Sequence, residues 1–91
     1  MNPRVKQVKP KANYVLQLTF TNGETRYFDM KPYLSTGVFK ELANKAKFFS
    51  VQPFMGSIQW PGGQDLCPDT LYEGSRVKGA GLRDLVNLST K

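Results

Sequence analysis

Between Tyr14 and Phe20, apolar and polar residues alternate. Tyr14, Leu16, Leu18 and Phe20 fall on one face at a period of two, with Gln17 and Thr19 on the other. A strand with one buried face has this signature. Thr21-Asn22-Gly23 interrupts it, and an Asn-Gly pair supplies the positive φ angles of a tight primed turn. Glu24 to Phe28 is therefore expected to return as the antiparallel partner. Upstream, Val5-Lys6-Gln7-Val8 predicts a short edge strand whose pairing Pro10 stops.

The period changes after Phe28. Asp29 to Leu34, with Pro32 inside it, reads as a bent connection or one helical turn, proline being tolerated only near a helix start. From Ser35-Thr36-Gly37 onward, Val38, Phe39, Leu42, Ala43 and Ala46 recur at three- and four-residue spacing, while Lys40, Glu41, Asn44, Lys45 and Lys47 point elsewhere. That spacing predicts one amphipathic helix lying on a sheet. Strand character resumes over Phe48–Phe54, Met55-Gly56 turns the chain, and Ser57 to Trp60 alternates again as a return strand. The pattern as a whole predicts an α+β fold: two antiparallel hairpins form a small sheet packed by one helix. Residues 1–73 make the domain, and 74–91 form a basic tail.

Composition narrows the class. Ninety-one residues leave room for one core, and 40% hydrophobic with 22% charged residues is ordinary for a globular chain. No apolar run approaches the roughly 18 residues a membrane helix needs. The start, Met-Asn-Pro-Arg, runs into alternating basic residues without an apolar signal core, so the expected location is the cytoplasm. The net charge of +6 is unevenly placed. Residues 1–12 hold Arg4, Lys6, Lys9 and Lys11 with no acid, a charge of +4; residues 74–91 carry +3; the stretch between them carries −1. Arg4, Lys6, Lys9, Lys11, Arg76, Lys78 and Arg83 are accordingly the candidates for contact with nucleic acid, through phosphates and without sequence reading.

Trp60 to Tyr72, W-P-G-G-Q-D-L-C-P-D-T-L-Y, is the densest stretch. It holds the only tryptophan and the only cysteine. Pro61-Gly62-Gly63 predicts a sharp irregular turn. Pro68 suits the first position of a helix, Asp69 the positive end of its dipole, and Gly74 its end. Trp60, Leu66, Leu71 and Tyr72 are expected to close one side of the core. The outer side of this clasp, with Trp60, Gly62, Gly63, Asp65, Asp69 and Tyr72, is the candidate surface for a protein partner. In the tail Leu82, Leu85 and Val86 share a helical face and need a surface to fold on, whether their own domain, a second copy of the chain or another protein.

These residues carry a resemblance. V-x-x-V-x-P (Val5, Val8, Pro10), Y-x-L-x-L-x-F-x-N-G-E (Tyr14 to Glu24), Phe28-Asp29, G-V-F-x-x-L (Gly37 to Leu42), Phe48, and I-x-W-P-G-G-x-D-L-C-P-D-T-L-Y (Ile58 to Tyr72) resemble the small bacterial family DUF2442 over about residues 5–73. The match is specific at its tryptophan-to-tyrosine end and loose elsewhere. The resemblance implies an α+β fold of hairpins with a helix, no assigned activity, and genes placed beside another small protein in arrangements like toxin–antitoxin pairs. Some relatives carry a helix-turn-helix domain after the module; here residues 74–91 are too short for one.

The residues themselves point away from catalysis. There is no histidine, so the usual general base near neutral pH is missing. Cys67 precedes a helix start, which favours a thiolate, yet Asp65 and Asp69 flank it and oppose one. A packed or capping thiol is the simpler role. Two carboxylates without further acidic ligands make a poor cation site, and neither of the phosphate-binding patterns Gly-x-x-x-x-Gly-Lys and Gly-x-Gly-x-x-Gly occurs, so no metal and no cofactor are expected. The expected function is a non-catalytic module that binds a small partner protein, with a nucleic-acid accessory as the alternative.

Overall fold

The computed structural model describes residues 2–77. Strand β1 (Val5–Lys11) pairs antiparallel with β2 (Val15–Phe20), and β2 with β3 (Thr25–Asp29). After the second hairpin, β4 (Gln52–Phe54) and β5 (Ser57–Gln59), β5 pairs with β6 (Asp65–Leu66), and β7 (Arg76–Val77) returns to the free side of β3. The α+β architecture built from antiparallel hairpins is as the sequence pattern predicts. The hairpins do not merge into one small sheet, however: they lie in two, ordered β1-β2-β3-β7 and β4-β5-β6. The first hairpin recruits β1 and β7 as its neighbours, and the second recruits β6. No helix among the described residues is long and apolar enough to cross a membrane.

One core joins the two sheets. Leu16, Leu18 and Phe20 from β2, Phe28 from β3, Ile58 from β5, Leu42, Phe48, Trp60 and Leu71 belong to a single buried cluster. The alternating face of β2 is therefore the inward one, as its period requires. A backbone bond from Val5 N–H to the Gly56 carbonyl, 2.9 Å, ties β1 to the tip of the second hairpin.

The helix expected over Val38–Ala46 is broken. A 3₁₀ segment covers Gly37–Ala43, and a single α-helical turn, α1 (Lys45–Phe48), follows it. Asn44 causes the break: its backbone is extended, and its side-chain oxygen caps α1 by accepting from Lys47 N–H at 3.1 Å. Asparagine offers the backbone this alternative to helix continuation. Tighter winding, three residues per turn, then puts Phe39 and Leu42 in one inward column and leaves Val38 64% exposed. Ala43 and Ala46, too small to anchor a helix, stay at the surface.

Other boundaries move for equally local reasons. Pairing of β1 runs through Pro10, which lies opposite Leu16, to Lys11; an edge strand tolerates a residue without a donor. Phe48 closes α1, so the strand expected from it begins only at Gln52. The short turn Lys31–Tyr33 forms with Pro32 near its start, as expected.

The first hairpin turn is not a primed one. Gly23 N–H bonds the Phe20 carbonyl at 2.9 Å, Phe20 N–H bonds the Glu24 carbonyl at 2.8 Å, and in the loop only Gly23 has positive φ. That is a three-residue loop ending in a glycine bulge. The primed geometry appears instead at Met55-Gly56, with φ of 49° and 82° between the paired residues Phe54 and Ser57.

Candidate functional site

The Pro61-Gly62-Gly63 stretch repeats the first loop. Gly63 N–H bonds the Trp60 carbonyl and Trp60 N–H bonds the Gln64 carbonyl, both at 2.9 Å, and Gly63 sits at φ 95°. The expected irregular turn is thus an ordinary three-residue hairpin loop between β5 and β6. It works as a clasp. Trp60 is 1% exposed, and its indole N–H donates to the Phe48 carbonyl at 3.0 Å. Gln64, which sequence reasoning passed over, is also buried, and its amide donates to the Val38 carbonyl at 3.0 Å. Two side chains of one hairpin thereby hold both ends of the 38–48 segment. The amide oxygen of Gln64 has no protein partner, and a Cβ on Gly62 would lie 2.7 Å from it.

Helix α2 (Pro68–Gly74) follows, with Cys67 at its N-cap, Pro68 in its first turn and Asp69 beside it. Cys67 is exposed, and its side chain makes no capping bond. Leu71 is fully buried. Tyr72 stacks edge-on against Phe20 with ring centres 5.0 Å apart, and the Arg26 guanidinium sits 4.0 Å over its ring. Arg26 also pairs with Glu24 at 2.9 Å. A hydrogen bond from Tyr72, and then the one from Arg26, hold the Glu24 carboxyl below its ordinary value. Asn2 reaches across to Asp69 and Glu73 at 3.3 and 2.9 Å.

The residues expected to meet a partner are thus dispersed. Trp60 is in the core, Tyr72 half-buried, and Gly62, Gly63, Asp65 and Asp69 at the surface; Leu82, Leu85 and Val86 lie outside the described residues. Of the basic candidates, Arg4, Lys6, Lys9 and Lys11 are exposed on or beside β1, whereas Arg76 lies on β7 at the opposite edge of the same sheet. Lys78 and Arg83 are not among the described residues. No group of three or more His, Cys, Asp or Glu side chains placed to hold a metal occurs among the described residues.

The surface feature that sequence reasoning missed is the β4–β5 tip. Phe54 is 47% and Met55 84% exposed, and Met55 occupies the left-handed region, where a bulky side chain is an outlier. Asn-Gly is the usual pair for this turn, so methionine in the first place was the available signal. Beside the tip a hollow of about 220 Å³ is lined by Pro53, Phe54, Gln59, Trp60 and Pro61. Arg4 borders the tip: its Cδ is 3.1 Å from where a Cβ on Gly56 would stand.

A second hollow, of about 210 Å³, lies between the end of β1 and α1, lined by Lys11, Tyr14, Lys45, Phe48 and Phe49 among others. A family model described as "Protein of unknown function (DUF2442)" matches residues 5–77. No curated protein and no solved structure matches the chain.

Proposed function

The chain belongs to the DUF2442 family, and from that premise we propose that it is a non-catalytic protein-binding module whose contact surface is the β4–β5 tip with its adjoining hollow. The observation that carries this reading is Met55. A large apolar side chain stands in solvent on a backbone conformation that costs an L-residue roughly 1–2 kcal/mol. Strain of this kind is retained where function uses it. Phe54 adds a second apolar side chain at the same tip, and β4 is the edge of its sheet. The clasp has a supporting part: β5 runs directly from the tip to Trp60, so anchoring Trp60 to Phe48 fixes the base of the hairpin.

The partner that fits is a small protein with an apolar pocket for Met55 and Phe54 and an acidic rim facing Arg4. The resemblance in sequence supports a partner encoded beside the chain, in a pair of the toxin–antitoxin kind. Co-expression with the product of the adjacent reading frame, followed by size-exclusion chromatography at micromolar concentration, tests this. The two proteins are expected to elute together, and separate elution refutes the proposal.

A further inference from the structure

The hollow between β1 and α1 shares no lining residue with the one at the hairpin tip, and its chemistry is different. Its lining includes three aromatic rings. Phe48 is fully buried and is met edge-on by Tyr14 at 5.2 Å and by Phe49 at 5.8 Å, while Phe49 itself stays 51% exposed. Two lysines, Lys11 at the end of β1 and Lys45 at the start of α1, contribute to the lining, and no acidic residue does. Neither Lys11 nor Lys45 takes part in an ion pair with a carboxylate among the described residues.

The wall is also held under strain. Asn13 and Tyr14 are consecutive residues at φ of 63° and 60°. Tyr14 is kept there by Met30 N–H bonding its carbonyl at 2.9 Å and by its own hydroxyl donating to the Ala43 carbonyl. Lys31 Nζ secures the Asn13 carbonyl at 2.9 Å.

We propose that this hollow binds single-stranded nucleic acid, with one base stacked on Phe49 and flanking phosphates on Lys11 and Lys45. Unneutralised cations beside an exposed aromatic ring are what strand-binding surfaces combine. The volume falls below the roughly 300 Å³ of a pocket for a free drug-sized ligand and suits one base of a longer strand. Lys9 lies two residues before Lys11 on the same sheet face, opposite Gln17 and Val15 respectively, and continues the positive track along β1. A base stacked in a duplex cannot reach Phe49, so the site selects single strands.

Fluorescence anisotropy with labelled oligouridylate, oligothymidylate and a duplex, each of about 12 units, tests the assignment at two salt concentrations. Single strands should bind at least about tenfold more tightly than the duplex. Phe49→Ala should weaken single-strand binding about tenfold and Phe49→Tyr should preserve it. The Lys11→Ala/Lys45→Ala double variant should reduce the slope of log affinity against log salt by about 1.4, whereas Lys40→Ala, away from the hollow, should leave it unchanged. The proposal is overturned by any of three results: no binding at low salt, a duplex bound as tightly as a single strand, or wild-type affinity in a folded Phe49→Ala protein.

Discussion

Glu24 shows how a surface residue takes a fixed electrostatic role from its neighbours. Tyr72 and Arg26 both hydrogen-bond its carboxylate, and the charged form is favoured in the folded chain, so its carboxyl titrates below the ordinary 4.5. A lowered folded value contributes stability that is complete above the unfolded value and disappears as the pH falls through the folded one. Urea unfolding of the wild type and Glu24→Gln should therefore show a stability gap that is constant above pH 4.5 and closes in stronger acid. Because the group is at the surface, added salt should shrink the gap. A gap unchanged between about pH 7 and about pH 3 would mean that ionisation of Glu24 plays no part. None of this was legible in the sequence, because Glu24 and Tyr72 are far apart in the chain and meet only when α2 settles against β3.

Among elements, those set by a strict local period were readable and those set by competition were not. The alternation of β2 gave its buried face directly, since a pleated strand offers only two sides. The 38–48 segment also had helical spacing, but Asn44 capped α1 and the continuous helix was lost. Turn chemistry misled in an instructive way. Asn22-Gly23 has the residues of a primed turn yet forms a three-residue loop with Asn22 accepting from Glu24 N–H at 3.0 Å, and Met55-Gly56, with poorer residues, takes the primed form. Strand register decided both. Helix α2 offers a test of packing against propensity. Replacing Gly74 with alanine improves helix propensity by about 1 kcal/mol, but the new Cβ would lie 2.9 Å from Cε1 of the buried Phe28. Gly74→Ala is expected to lower stability by about 1–3 kcal/mol in chemical denaturation, because a close-packed ring cannot yield without loss elsewhere. A rise in stability would show that the end of α2 is looser than this packing implies.

At the scale of the molecule, two short sheets share one core with the helical segment Gly37–Ala43, α1 and α2, and the tryptophan hairpin β5–β6 fastens them together through Phe48 and Val38. The sequence pointed to that hairpin through its density of special residues, and its place in the core follows from the size of Trp60. What it marked only faintly was the tip of the adjoining β4–β5 hairpin: methionine ahead of Gly56 was the one signal, and Phe54 looks in sequence like any other core candidate. The binding account rests on Met55 being strained and exposed for a purpose. Met55→Asn measures this directly, because asparagine fits the left-handed turn position and removes the apolar anchor. Thermal unfolding of the free variant should show a gain of about 0.5–1 kcal/mol, while calorimetric titration with the product of the adjacent reading frame, the proposed partner, should show affinity reduced about tenfold or more. A variant that binds as tightly as the wild type, whatever its stability, would contradict the assignment of the tip as the contact surface.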